Sequence, residues 1–231
     1  MSMPVTTTRL TRAAGMSAVA AGLLFIVVAV VHPPDDVASV TTTAWTVTHV
    51  LGMAMAALAL VGISGMYLRQ VTRTGRLGLV GFVLFGSCFL LITASQFAEA
   101  FVLPYLADQA PGFVSDFLAI PTGGVIVGSV WALVTVNLMT GATYVLGGLL
   151  FGVALFRAGI LARWAALLLA AGTALALVLP LLPPAVDRLT GVPVGIALAG
   201  LGFSLWREQR AAATDPTTGA GASRPEPARA R

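Results

Sequence analysis

Few side chains in the apolar stretches of this chain can ionise, and they define what chemistry it could do. His32 and His49 are the only histidines. Gln96 and Glu99 stand at i and i+3, so a helix carrying them presents both on one face. Asn137, Thr140 and Tyr144 follow the same kind of spacing further along. An ionisable group near or within a bilayer is costly and is a default pointer to function. His49 and Glu99, oriented by Gln96 and Asn137 and with Tyr144 nearby, are therefore the candidate ligand or proton site. The competing reading is that these groups simply hydrogen-bond one another or are wetted at the headgroup level. Two histidines near outer carboxylates also admit a Zn²⁺ or Cu²⁺ site on His32 and His49, although their spacing matches no ligand motif. A bis-His haem on the same pair is a weaker alternative. No cofactor is expected.

Other chemistry has no framework here. There is no Walker loop, HExxH, GxSxG or CxxC. Cys88 is the single cysteine, lies in an apolar run and reads as a small packing residue. The middles of the apolar runs lack Asp, Glu, Lys, Arg and His, which argues against an ion-coupled pump with a midplane relay.

The elements that must position these residues are membrane helices. Of 231 residues, 58% are apolar and only 10% charged, too few charges to cover a soluble fold. The net charge of +4 does not indicate nucleic acid, because the chain has no Lys and its Arg residues flank the apolar runs. A span needs about 20 apolar residues. The runs at about 13–31, 45–68, 77–103, 130–156, 164–182 and 189–206 qualify, predicting an all-α, polytopic bundle of six spans. Thr41, Thr42 and Thr43 offer N-caps to the second, and Pro104 is expected to stop the third. Residues 1–12 are expected to form a cytoplasmic N-terminal segment ahead of this domain of 13–206. Residues 207–231 read as a disordered cytoplasmic tail.

The stretch 117–156 would measure about 60 Å as one helix, twice what a bilayer needs. Arginine decides its layout. Arg69, Arg73 and Arg76 mark one cytoplasmic turn, and Arg157 and Arg163 mark another. An even number of crossings must separate them, so 117–128, broken by Pro121, Gly123 and Gly124, becomes an outer interfacial or re-entrant piece before span four. Both termini are then cytoplasmic. Arg188 alone falls outside, with Asp35, Asp36, Asp108, Asp116 and Asp187. Small-residue pairs at Ala18/Gly22, Gly148/Gly152, Gly191/Gly195 and Gly195/Ala199 suit close helix packing within the bundle, and homo-oligomerisation is a distant second use.

Several segments carry a resemblance: Gly22-Leu23-Leu24-Phe25 with His32-Pro33, Trp45 with His49, Gly65-Met66-Tyr67-Leu68-Arg69-Gln70 and Gly75-Arg76-Leu77-Gly78. Glu99-Ala100-Phe101-Val102-Leu103-Pro104 and Arg157-Ala158-Gly159-Ile160-Leu161-Ala162-Arg163-Trp164-Ala165 extend it. Over about 10–207 the chain resembles small multi-pass actinobacterial membrane proteins catalogued as domains of unknown function. The resemblance implies a bacterial cytoplasmic-membrane address and brings no catalytic residues. The leading expectation is a non-enzymatic membrane protein whose outward polar pocket takes a small apolar or amphipathic molecule, or a partner. A small permease or efflux component, and a redox or metal subunit using His32 and His49, are the alternatives.

Overall fold

The computed structural model describes residues 6–177 and 191–214, and among these it is all-helical. The helices are α1 (Thr7–Val31), α2 (Val37–Val40), α3 (Thr43–Phe97), a π-helical turn (Ala98–Val102), α4 (Leu103–Leu106), α5 (Pro111–Thr122), α6 (Trp131–Ala158), α7 (Arg163–Leu175) and α8 (Gly191–Thr214). Three helices are long and apolar enough to cross a membrane: Thr7–Val31, Thr43–Leu106 and Trp131–Ala158. Large apolar side chains such as Leu23, Val83, Leu90, Leu138 and Leu167 point outward. An apolar exterior of this extent is what lipid, not water, solvates.

The second of those helices is a hairpin. Gly75 has φ 57° and ψ −156°, a conformation open to glycine because it has no Cβ. The chain folds back there: Tyr67 stacks on Phe82 with ring centroids 4.6 Å apart, and Trp45 reaches Glu99. The legs 43–74 and 76–97 therefore run antiparallel. The sequence reading placed the same turn at Arg69–Arg76.

Every later neighbour is antiparallel too. Ala14 and Ala18 of α1 meet Gly65 and Gly62 of α3, while Gly15 and Gly22 of α1 meet Gly202 and Gly195 of α8. On the return leg of α3, Gly81 abuts Phe151, and Phe85 abuts Gly147 of α6. Gly152 of α6 packs on Ala166 and Ala170 of α7, and Gly172 of α7 packs on Val194 of α8. The helices thus close into a ring. The expected small-residue pairs at Ala18/Gly22, Gly148/Gly152 and Gly195/Ala199 lie at these crossings. Ile63, Met66, Phe85, Phe89, Phe151, Leu155, Leu169 and Leu198 fill the centre, and Cys88 is buried. Burying a leucine- or phenylalanine-sized side chain against such neighbours recovers dispersion contacts that lipid supplies less densely.

One end of the ring gathers arginine. Arg9 and Arg12 flank Trp206, Arg69 makes a two-point ion pair with Glu208, and the Ala162 amide after Arg157 bonds Ser204. The other end carries His32, Asp35, Asp36 and α5, with its own small core of Val40, Trp45, Leu103, Val114 and Leu118. There the Asp36 carboxylate caps α2 by accepting from the Ser39 amide at 2.7 Å. That bond holds its pKa below the ordinary 3.8.

Three expectations change. Pro104 does not stop the helix, which runs to Leu106 because a π-turn absorbs the proline. The broken segment folds as Pro111–Thr122, starting earlier than 117 with Pro111 in the first turn and ending at Gly123 (φ 69°). The last helix continues to Thr214, past the expected start of the tail at 207. The rest of the expected tail (215–231), the expected end of span five (178–182), the expected start of span six (189–190), and Asp187 and Arg188, expected in an outer loop, lie outside the described residues.

Candidate functional site

The site is built around a carbonyl that the helix cannot satisfy. In the π-turn the Leu103 amide bonds back to the Ala98 oxygen. The next amide in that register would reach Glu99, but Pro104 has none. The Glu99 carbonyl is left without a helical donor, and the Trp45 indole N–H supplies one at 2.7 Å. Trp45 is 1% exposed and is set by the Thr42 cap, whose hydroxyl accepts from the Trp45 amide at 3.2 Å. One turn on, His49 donates from Nδ1 to the Trp45 carbonyl at 2.7 Å.

With Nδ1 so engaged, His49 Nε2 faces Glu99 Oε2 at 3.3 Å, with the histidine 1% and the carboxylate 18% exposed. Gln96 donates from Nε2 to the same oxygen at 2.8 Å. With Nδ1 donating to the Trp45 carbonyl, Nε2 can accept from a protonated Glu99 or, as imidazolium, donate to its carboxylate. Gly52 beneath Gln96 leaves the space its carboxamide oxygen occupies, since a methyl there would collide with it.

Beside this cluster is a cavity of about 200 Å³ between the return leg of α3, α5 and α6. Ser95, Gln96 and Glu99 form its polar wall with Asn137 and Thr140 opposite, while Ile92, Phe117, Pro121 and Leu133 form its apolar wall. Asn137 is exposed. The arrangement offers carboxyl, carboxamide and hydroxyl groups on one side of an otherwise greasy pocket, the usual plan of a small-molecule site.

Of the residues singled out in the sequence, His49, Gln96 and Glu99 touch, and Asn137 joins Gln96 and Glu99 across the cavity. Tyr144 does not line it. The tyrosine lies about 10 Å further along α6 by helix rise and packs 6.1 Å from Phe85. His32 stands edge-on to His49 at 5.1 Å and to Trp45 at 5.9 Å, with its Nδ1 2.8 Å from the Pro33 carbonyl. Both nitrogens of His49 already have protein partners, so the pair presents no convergent donor set. Among the described residues no group of three or more His, Cys, Asp or Glu side chains could hold a metal.

Two contributors escaped the sequence reading. Nothing in the sequence marks Trp45 as a donor, because that role depends on Pro104 nearly sixty positions away. Asp116 looked like loop charge. Instead it is buried and accepts from the amides of Val127 (2.9 Å) and Gly128 (2.7 Å), tying α5 to the strap before α6 and so fixing the cavity's roof. No local pattern announces a carboxylate whose partners are backbone amides.

Fold and site define a class, a helical membrane protein with a polar cluster beside a lateral cavity. No protein-family model matches the chain, and neither curated proteins nor solved structures give a match.

Proposed function

We propose that the chain is a six-pass protein of a bacterial cytoplasmic membrane, with both termini cytoplasmic, that holds a small amphipathic molecule in the cavity beside Glu99 without transforming it. The observation that carries the reading is the 3.3 Å contact of His49 with Glu99 at the wall of that cavity. A carboxyl group positioned by two partners, facing apolar side chains, recognises a polar head on a greasy body. The orientation rests on arginine, gathered at the end holding Arg9, Arg69 and Arg210. In this reading α5 lies at the outer interface as the pocket's roof.

A permease would need the pocket to continue inward, and Phe85, Phe89 and Phe151 occupy that route. A metal or redox subunit would need His49 released from Trp45 and Glu99.

The test is mass spectrometry of organic extracts from detergent-purified protein, followed by rebinding of whatever small molecule is retained. Glu99→Ala and Asn137→Ala should each weaken retention about tenfold, a loss matching one hydrogen bond of roughly 1.4 kcal/mol. Asp108→Ala, at an exposed turn, should leave it unchanged. Equal retention by all variants would sink the proposal.

A further inference from the structure

A second concavity lies at the opposite, arginine-rich end, away from the Glu99 cluster. A groove of about 660 Å³ runs between α1 and the first leg of α3. Leu60, Val61 and Leu68 line one wall, with Leu10 and Ala14 on the other. Leu60 to Leu68 covers about 12 Å of helix rise, enough to seat the upper part of an acyl chain running parallel to the helices. Val61 and Leu68 are 50% and 70% exposed, so the wall has no protein cover among the described residues.

The polar end of the groove holds Arg69, Gln209 and the threonines Thr7 and Thr8. Glu208 grips the Arg69 guanidinium through Nε and one Nη. A guanidinium has five N–H donors in a fixed fork, so this grip orients Arg69 and leaves donors for a second oxygen ligand. Arg9, Arg12, Arg207 and Arg210 surround the same end, and Glu208 is the one carboxylate there among the described residues. Among the described residues the local charge is therefore positive even with the ion pair made. The tail of this chain after Arg210, rich in Ala, Thr, Gly and Pro with scattered Arg and acidic residues, has no Leu, Ile, Val, Met or aromatic side chain with which to fill apolar walls.

We propose that this groove binds one anionic phospholipid from the adjacent leaflet. The phosphate lies against Arg69 and one acyl chain along Leu60, Val61 and Leu68. Basic pockets between membrane helices hold acidic lipid headgroups by this combination of charge and apolar cover. The inference does not depend on the Glu99 cavity or on what that cavity holds.

Native mass spectrometry of the delipidated full-length protein tests it. The protein would be offered equimolar phosphatidylglycerol and phosphatidylcholine with identical palmitoyl-oleoyl chains. One phosphatidylglycerol should be retained in preference to phosphatidylcholine. Arg69→Gln should lower that retention about fivefold, the effect of one arginine near an anionic surface. Val61→Trp, an exposed position whose larger side chain fills the acyl slot, should lower retention with every arginine intact. Arg157→Gln, equal in charge loss but outside the groove, should retain the lipid as the parent does. Equal binding of the two lipids, an equal loss in Arg157→Gln, or displacement of the lipid by millimolar inorganic phosphate alone would each overturn the proposal.

Discussion

At the scale of single residues, the site depends on a missing hydrogen. Pro104 deprives the Glu99 carbonyl of its donor, and Trp45 supplies one from the other leg of the hairpin. Trp45→Phe keeps most of the ring packing but leaves a buried carbonyl unsatisfied, which costs about 1–3 kcal/mol. Thermal unfolding should register that loss, and Trp45→Phe with Pro104→Ala should recover part of it, because the restored amide can serve the carbonyl. A double variant no more stable than the single one would refute this account. Asp36 makes a separate prediction. Its pKa is lower in the fold than in the unfolded chain, so its cap stabilises above the unfolded value near 3.8 and is lost as pH falls through the folded value. Asp36→Asn should flatten the acid limb of a stability–pH curve below about pH 4 and change little at neutral pH. His49, Gln96 and Glu99 were legible at this scale because helical spacing and the scarcity of polar residues single them out. Tyr144 shared the spacing with Asn137, but periodicity gives the face of a helix and not how far along it a neighbour reaches.

At the scale of elements, glycine sets how closely the helices approach. A methyl at Gly22 would collide with the Gly195 carbonyl, and one at Gly81 with the Phe151 backbone. Backbone cannot step aside as a flexible side chain can, so Gly22→Ala and Gly81→Ala should each destabilise by about 1–3 kcal/mol. Gly141 on α6 has nothing near its methyl position. Gly141→Ala should be neutral or stabilising, by up to about 1 kcal/mol. Denaturation in mild detergent compares the three, and equal losses would contradict the packing described. The turn at Gly75 and the helix start near Thr43 were legible because arginine, glycine and threonine signal them locally. The continuation through Pro104 was not, since proline's local preference is to end a helix and only the donor from Trp45 makes the π-turn tolerable. The start of α5 at Pro111 was missed for a simpler reason: an apolar pattern does not show which of two prolines opens the helix and which one falls within it.

At the scale of the whole molecule, the start of α1, the Gly75 hairpin, the α6–α7 turn and the stretch of α8 around Glu208 meet on one side, joined by the Arg69–Glu208 pair and the Ala162–Ser204 bond. A partly exposed pair of this kind stabilises by at most about 1 kcal/mol, and the proposed orientation rests on the arginines as a set. In a Cys88→Ala background, Asp108→Cys should react with an impermeant maleimide in intact cells. Arg73→Cys should react only after permeabilisation. The reverse pattern would invert the topology, and labelling of both would remove the odd-numbered crossing between them. The ring itself has a consequence for chain connectivity. Because α1 and α8 are neighbours and Thr7 and Arg210 lie at the same end, the order in which the helices are joined is not dictated by their packing. A circular permutant, spliced across the present termini and opened at the glycine turn between α6 and α7, keeps every helix beside its partners. Such a chain would separate what the bundle needs for stability from what the threading order contributes during insertion.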